Sequence, residues 1–197
     1  MHICARQLPS ASYVVTTASA AMDVDLGKED GMDLQDALAK LLRSYRQYYD
    51  VRTENVAAPF AAEAEFHSHE EHYFLIRRAV IDEVENNEIV YFAAVPSLKE
   101  ESFREMDQAA WERGLAKATP SIHHQSSDVS LIILADQIDN GLFPIIKRCR
   151  HTLTYKRLLH GYSNYHLIAL ELSTGRIVHN RLGYTMKRLL RSIADSS

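Results

Sequence analysis

Between Phe60 and Val95, polar and apolar side chains alternate with a period of two, and this constrains the fold more than any other feature. Ala62, Ala64, Phe66 and Ser68 fall on one side of a strand spanning Phe60–Ser68; Glu63, Glu65, His67 and His69 fall on the other. Tyr73–Val84, rich in aromatic and branched residues, reads as a second strand, and Glu88–Val95 as a third. Asn86-Asn87 is the candidate hairpin turn between them, because asparagine tolerates positive φ. Three consecutive strands at this spacing predict an antiparallel meander.

Helical patterns flank the meander. Leu34, Leu38, Leu41, Leu42 and Tyr45 recur on one helical face after Asp33. Ser97-Leu98-Lys99-Glu100 has the form of a capping box and opens a helix running to about Ala118, with Phe103, Met106, Ala110, Leu115 and Ala118 on its buried stripe and Trp111 beside it. Asp128–Ala135 is almost wholly apolar, which predicts a central strand covered on both faces. A short helix over Leu142–Cys149 follows, then strands near Thr152–Leu158, Tyr165–Leu172 and Arg176–Asn180, and a closing basic helix over Gly183–Ile193. The expected class is α+β: a mostly antiparallel mixed sheet of six to seven strands with about four helices, in the order α-βββ-α-β-α-βββ-α. Residues 1–31, Ala/Ser/Thr-rich and then acidic, are expected to form a poorly ordered tail before one globular domain over 32–195.

Of the 197 residues 46% are hydrophobic and 24% charged, enough apolar mass for a substantial core. No apolar run reaches the roughly 18 residues of a membrane span, and the first residues lack the apolar stretch of a secretory signal. Cys4 and Cys149 give no disulfide framework and no zinc spacing, so a reducing, cytoplasmic setting is expected and Cys149 reads as a packed helix thiol.

Three constellations could carry chemistry. His67 and His69 lie two apart on a strand, with Glu65 on the same side, which is a donor pattern for a divalent metal. A pocket there would draw on Glu65, His67, His69, Arg77, His123 and His124. The stretch from Phe143 to Ile193 holds ten Lys/Arg and one acid, a balance of +9 on a chain of net −4. Lys147, Arg148, Arg150, Lys156, Arg157, Lys187, Arg188 and Arg191, with tyrosines interleaved, form a candidate polyanion or nucleic-acid surface. The element order also resembles restriction-endonuclease-like nucleases. That resemblance implies metal-holding acids on the core strands, and Glu63 and Glu65 would serve, yet Ile89-Val90-Tyr91-Phe92-Ala93 lacks the Glu-x-Lys such enzymes carry.

The segments Glu65-Phe66-His67-Ser68-His69-Glu70-Glu71-His72-Tyr73-Phe74-Leu75, Glu85-Asn86-Asn87-Glu88, Ile132-Ile133-Leu134-Ala135-Asp136 and Leu170-Glu171-Leu172-Ser173-Thr174-Gly175 resemble a family of uncharacterised bacterial proteins over residues 33–192. The resemblance implies a compact domain and no assigned activity. Because no complete catalytic set stands in the sequence, the leading expectation is a non-catalytic binding or regulatory domain with no required cofactor. The alternatives are a polyanion-binding module and a metal-dependent enzyme. A protein or nucleic-acid partner fits the charge pattern, no membrane partner is expected, and the edge of the last hairpin would allow pairing with a second copy.

Overall fold

The computed structural model describes residues 33–67, 85–117, 124–154 and 162–195. Seven strands form one mixed sheet, with helices on both faces. The chain runs α1 (Leu34–Tyr45), β1 (Asp50–Arg52), β2 (Ala62–His67), β3 (Glu85–Leu98), α2 (Glu100–Lys117), β4 (His124–Ile138), α3 (Leu142–Arg148), β5 (Thr152–Thr154), β6 (Tyr162–Glu171) and β7 (Arg176–His179). A 3-10 turn (Gly183–Met186) leads into α4 (Lys187–Ala194). Among the described residues, no helix is long and apolar enough to cross a membrane.

The element order is roughly the expected one: β2 and β3 fall on the expected strands Phe60–Ser68 and Glu88–Val95, with β3 starting earlier and ending later, while β1 is an additional strand. β1 is a three-residue edge strand, too short to show a period. β2 pairs antiparallel with β3 directly, from Ala62↔Phe92 to His67↔Asn87. Asn86-Asn87 is therefore no turn: both residues lie inside β3, paired to β4 on the other edge. Pairing with β4, and at Asn87 with β2 as well, outweighs the local turn preference of asparagine. The expected strand Tyr73–Val84 lies outside the described residues.

The centre of the sheet is parallel: β3 pairs with β4, and β4 with β6. β1 and β2 on one side, and β5 and β7 on the other, attach antiparallel. β4 sits in the middle, as its apolar run implies. Val129, Leu131, Ile133 and Ala135 face α2 and α3, while Ile132 and Leu134 face α1 and α4. Covering both faces removes any need for polar alternation.

The ladder also moves the start of α2. β3 continues to Leu98↔Ile138, so Ser97 is a strand residue and the helix begins at Glu100. The capping is done from inside: the Ser102 hydroxyl accepts from the Lys99 N–H at 3.3 Å and donates to the Lys99 carbonyl at 3.0 Å. The buried stripe of α2 is Phe103, Met106, Ala110 and Gly114, with Gly114 in the inward position expected of Leu115. A Cβ at Gly114 would lie 2.5 and 2.6 Å from the two Val129 methyls, so the missing side chain sets how closely α2 approaches β4.

One edge of β6 is shared by two short strands. β5 pairs with 162–164 and β7 with 168–171. The gap between them is closed by one buried side chain. Asn180 Oδ1 accepts from the Leu167 N–H (3.2 Å) and the Gly183 N–H (2.7 Å); its Nδ2 donates to the carbonyls of Tyr165 (2.9 Å) and Cys149 (3.3 Å). Its own backbone N–H donates to the Leu167 carbonyl at 2.9 Å. Asn180 thus replaces a missing length of strand. Gly183 must lack a Cβ for this geometry, since one would fall 2.1 Å from the Leu167 carbonyl oxygen.

Candidate functional site

The chain leaving α3 crosses that gap. The Cys149 N–H closes the helix on the carbonyls of Ile145 (2.9 Å) and Ile146 (3.2 Å), and at φ −59°, ψ 128° Cys149 turns the backbone extended. In an extended segment, residues two apart point the same way. Cys149 and His151 therefore both face α2, where Asp107 meets them.

The three side chains form a tight cluster. The Cys149 thiol donates to Asp107 Oδ1 at 3.2 Å, His151 Nε2 lies 2.9 Å from Asp107 Oδ2, and Sγ and Nε2 are 3.7 Å apart. Asp107 and His151 are largely covered, their side chains 16% and 29% exposed. The Trp111 ring, one turn along α2 from Asp107, stacks on His151 at 5.4 Å and 22°. The buried Tyr165 ring meets the imidazole edge-on at 4.8 Å. The Tyr165 hydroxyl is close enough to Asp107 to feel its charge but makes no direct hydrogen bond of good geometry.

Electrostatics follow from this packing. Burial alone would raise the Asp107 carboxyl; the hydrogen bond and charge of His151, with smaller contributions from Tyr165 and Cys149, outweigh it and hold Asp107 below the ordinary carboxylate range. Burial first, and the adjacent Asp107 carboxylate second, push the Cys149 thiol far up. Burial and Asp107 likewise keep the Tyr165 phenol neutral. A nucleophilic thiol needs the opposite shift. His151 also turns one and the same nitrogen towards both Asp107 and Cys149, so the three cannot act as a linear relay. The set is suited to donating to a common centre.

An open cleft of about 460 Å³ between α2 and α3 exposes this cluster. Arg104, Gln108, Arg148 and Arg150 line its polar side and Phe103 and Ile145 its apolar side. Arg104 is tied to Glu100 at 2.6 Å. No carboxylate among the described residues pairs with Arg148 or Arg150.

The residues singled out from sequence are distributed differently. Glu65 and Glu63 face α2, where Lys117 Nζ contacts both (2.6 and 2.9 Å), and Arg52 of β1 contacts both from the other side (2.9 and 3.3 Å). A cation absent from the third strand thus arrives from α2, and two cations already neutralise the pair. His67 stands in β2 opposite Asn87, and His124 opens β4 opposite Glu85. His69, Arg77 and His123 lie outside the described residues. The basic set divides. Lys147 and Arg148 end α3 and Arg150 follows it, on the α2 side of the sheet. Lys187, Arg188 and Arg191 belong to α4, which packs with α1 on the opposite face. Lys156 and Arg157 lie outside the described residues.

A second polar group is internal to the α1 side of the sheet. Glu88 accepts from Tyr49 (2.6 Å) and Ser130 (2.9 Å), and Asp128 accepts from Asn164 (3.2 Å). The conspicuous Leu-Glu-Leu-Ser-Thr-Gly segment is structural. The buried Glu171 carboxylate accepts from the Ile138 N–H at 2.8 Å and from the Thr174 hydroxyl, and Gly175 takes the positive φ of +67° that the β6–β7 turn requires.

Sheet and cluster together define an α+β domain with a parallel-centred mixed sheet and a thiol–imidazole–carboxylate group in a basic cleft. The chain belongs to the family described as Domain of unknown function (DUF8052), whose model matches residues 33–192. No curated protein and no solved structure matches it.

Sequence patterns single out neither Asp107 nor His151, and offer Cys149 only as a packed helix thiol, whereas it caps α3 and turns its thiol to α2. The one local signal is Cys-x-His immediately after a helix end, Cys149-Arg150-His151. Its third member comes from a helix more than forty positions earlier.

Proposed function

We propose that the domain is a binding module whose site is the cleft between α2 and α3, and that its ligand is a small anion. The observation that carries this reading is the pair of arginines, Arg148 and Arg150, without carboxylate partners among the described residues, lining an open cleft whose apolar side is Phe103 and Ile145. Arginine presents a planar fork of donors that matches phosphate or carboxylate, and each such charge-assisted bond contributes about 1.5–3 kcal/mol. The division of the remaining basic residues across two faces of the sheet favours a compact anion over a long polyanion lying along the segment 143–193.

Titration calorimetry with inorganic phosphate, pyrophosphate and citrate tests the reading. Arg148→Gln and Arg150→Gln should each weaken the preferred anion by about tenfold or more, in line with one lost charge-assisted bond. Lys187→Gln with Arg188→Gln, on the opposite face, should leave it unchanged. Equal losses from both pairs would point instead to nonspecific attraction by net charge.

A further inference from the structure

We infer that Asp107, Cys149 and His151 form a mononuclear transition-metal site of the zinc type, with its open coordination position facing the α2–α3 cleft. One thiolate, one imidazole and one carboxylate are a borderline-soft set that suits zinc(II) and its spectroscopic substitute cobalt(II), and three protein donors are the number found where a fourth position is left for water or ligand.

Geometry supports the assignment. With zinc–ligand lengths near 2.0–2.3 Å and tetrahedral angles, the donor atoms of such a site stand about 3.3–3.6 Å apart. Here Cys149 Sγ and His151 Nε2 are 3.7 Å apart, Sγ is 3.2 Å from Asp107 Oδ1 and Nε2 is 2.9 Å from Asp107 Oδ2, and one donor atom from each residue lies within 4.8 Å of the other two. Binding an ion requires the donors to draw together around it and the Asp107 carboxylate to present one oxygen, or both, to the centre. Cys149 and His151 come from one extended segment and Asp107 from a facing helix, so two rigid elements hold the set.

The surroundings fit a metal centre as well. Trp111 and Tyr165 fix the plane of the His151 ring from two directions. Asn180 holds the Cys149 carbonyl, and so the turn that carries two of the donors. Asp107 places a negative charge at the base of a cleft rimmed by arginines. A dication there would neutralise the carboxylate and the thiolate together, leaving an anion both a coordination position and two guanidiniums. This last consequence rests on the anion reading above; the metal site itself does not.

The test uses the full chain, stripped with a chelator and titrated with cobalt(II). The expected result is one cobalt per chain, with the near-ultraviolet thiolate-to-cobalt charge-transfer band and the visible bands of a tetrahedral site. Zinc(II) should displace the cobalt and abolish both features. Cys149→Ser should lose the charge-transfer band, and His151→Ala the tetrahedral spectrum, with circular dichroism confirming that each variant is folded. Should Cys149→Ser fail to fold, Asp107→Asn serves in its place, and a spectrum and affinity identical to those of the parent overturn the site. The inference also fails if stoichiometric cobalt gives no charge-transfer band, or if the band survives in a folded Cys149→Ser protein. Calorimetry with phosphate on the metal-free chain separates the two readings. Anion binding without cobalt binding sinks the metal site and leaves the cleft reading intact; cobalt binding with no anion binding to either form does the reverse.

Discussion

Replacing Asn180 with alanine should destabilise the protein more than any other polar-to-alanine change in β6, β7 or their turn. The substitution removes acceptors from the N–H groups of Leu167 and Gly183 and donors from the carbonyls of Tyr165 and Cys149. Three of these four residues are buried, and Cys149 is half-buried. A buried backbone group left without a partner costs about 1–3 kcal/mol. Three such groups set an upper range near 3–9 kcal/mol, and partial entry of water brings the expected loss to about 3–5 kcal/mol. That is a large share of the roughly 5–15 kcal/mol of an ordinary domain. Urea unfolding followed by circular dichroism measures it, and hydrogen exchange at the Leu167 amide reports the local event. Asn180→Asp sharpens the argument. One carboxylate oxygen can still accept from Leu167 and Gly183, but the other faces two carbonyl oxygens. Its folded pKa is thereby raised, so the penalty is present at neutral pH and is relieved as the pH falls through that raised value towards the unfolded value of about 3.9. A loss in Asn180→Ala below about 1 kcal/mol, with Leu167 still protected from exchange, would refute the idea that this side chain replaces a strand.

Gly114→Ala sets helix propensity against packing. The propensity gain is about 1 kcal/mol, while overpacking against both Val129 methyls costs about 1–3 kcal/mol, so the variant should unfold at lower urea; an increase in midpoint would show that α2 can move away from β4. In the metal-free protein Asp107 has a depressed folded pKa, so its contribution is present above the unfolded value of about 3.9 and is lost as the pH falls through the lower folded one. Asp107→Asn should therefore flatten the acid limb of stability measured from pH 7 to pH 3 (~4 units, spanning the carboxylate range), and an unchanged limb would contradict the pairing. Burial and Asp107 hold the Cys149 thiol protonated, so iodoacetamide at mildly alkaline pH should label it far more slowly in the native metal-free chain than in urea, as read by peptide mass spectrometry; equal rates would show a free thiolate.

How much of this was legible in the sequence depends on whether the signal was local. The stripe of α1, the central position of β4 and the β6–β7 turn all follow from local patterns; the buried faces of the sheet bear out the first two, and the Glu171↔Arg176 pairing bears out the turn. The start of α2 and the role of Asn86-Asn87 were not legible, because in both places a ladder partner distant in sequence outweighs a local cap or turn preference. The attention drawn to Glu65 has the same origin. Strand periodicity places Glu63 and Glu65 on one side, but it cannot reveal that Lys117 and Arg52 face them, since β1 is too short for a period and Lys117 belongs to another element. Asp107 lies beside the buried stripe of α2 and resembles an ordinary flanking acid until α3 is placed on the same face of the sheet.

The location of the cluster follows from a defect in the sheet edge. β6 has a continuous partner in β4 on one side, but on the other its partners change from β5 to β7, and among the described residues 165–167 have no strand beside them. Backbone groups there need partners from elsewhere, and Asn180 supplies them. The same interruption lets the segment after α3 approach the sheet, with Cys149 directed at α2 and its carbonyl held by Asn180. Tyr165, whose carbonyl is held by that amide, is also the ring against which His151 rests. One side chain therefore satisfies the broken edge and sets the position of two donor residues. The donor geometry and the integrity of the sheet are coupled through Asn180, whereas Glu171, at the far end of β6, stabilises the β6–β7 turn and makes no contact with the cluster.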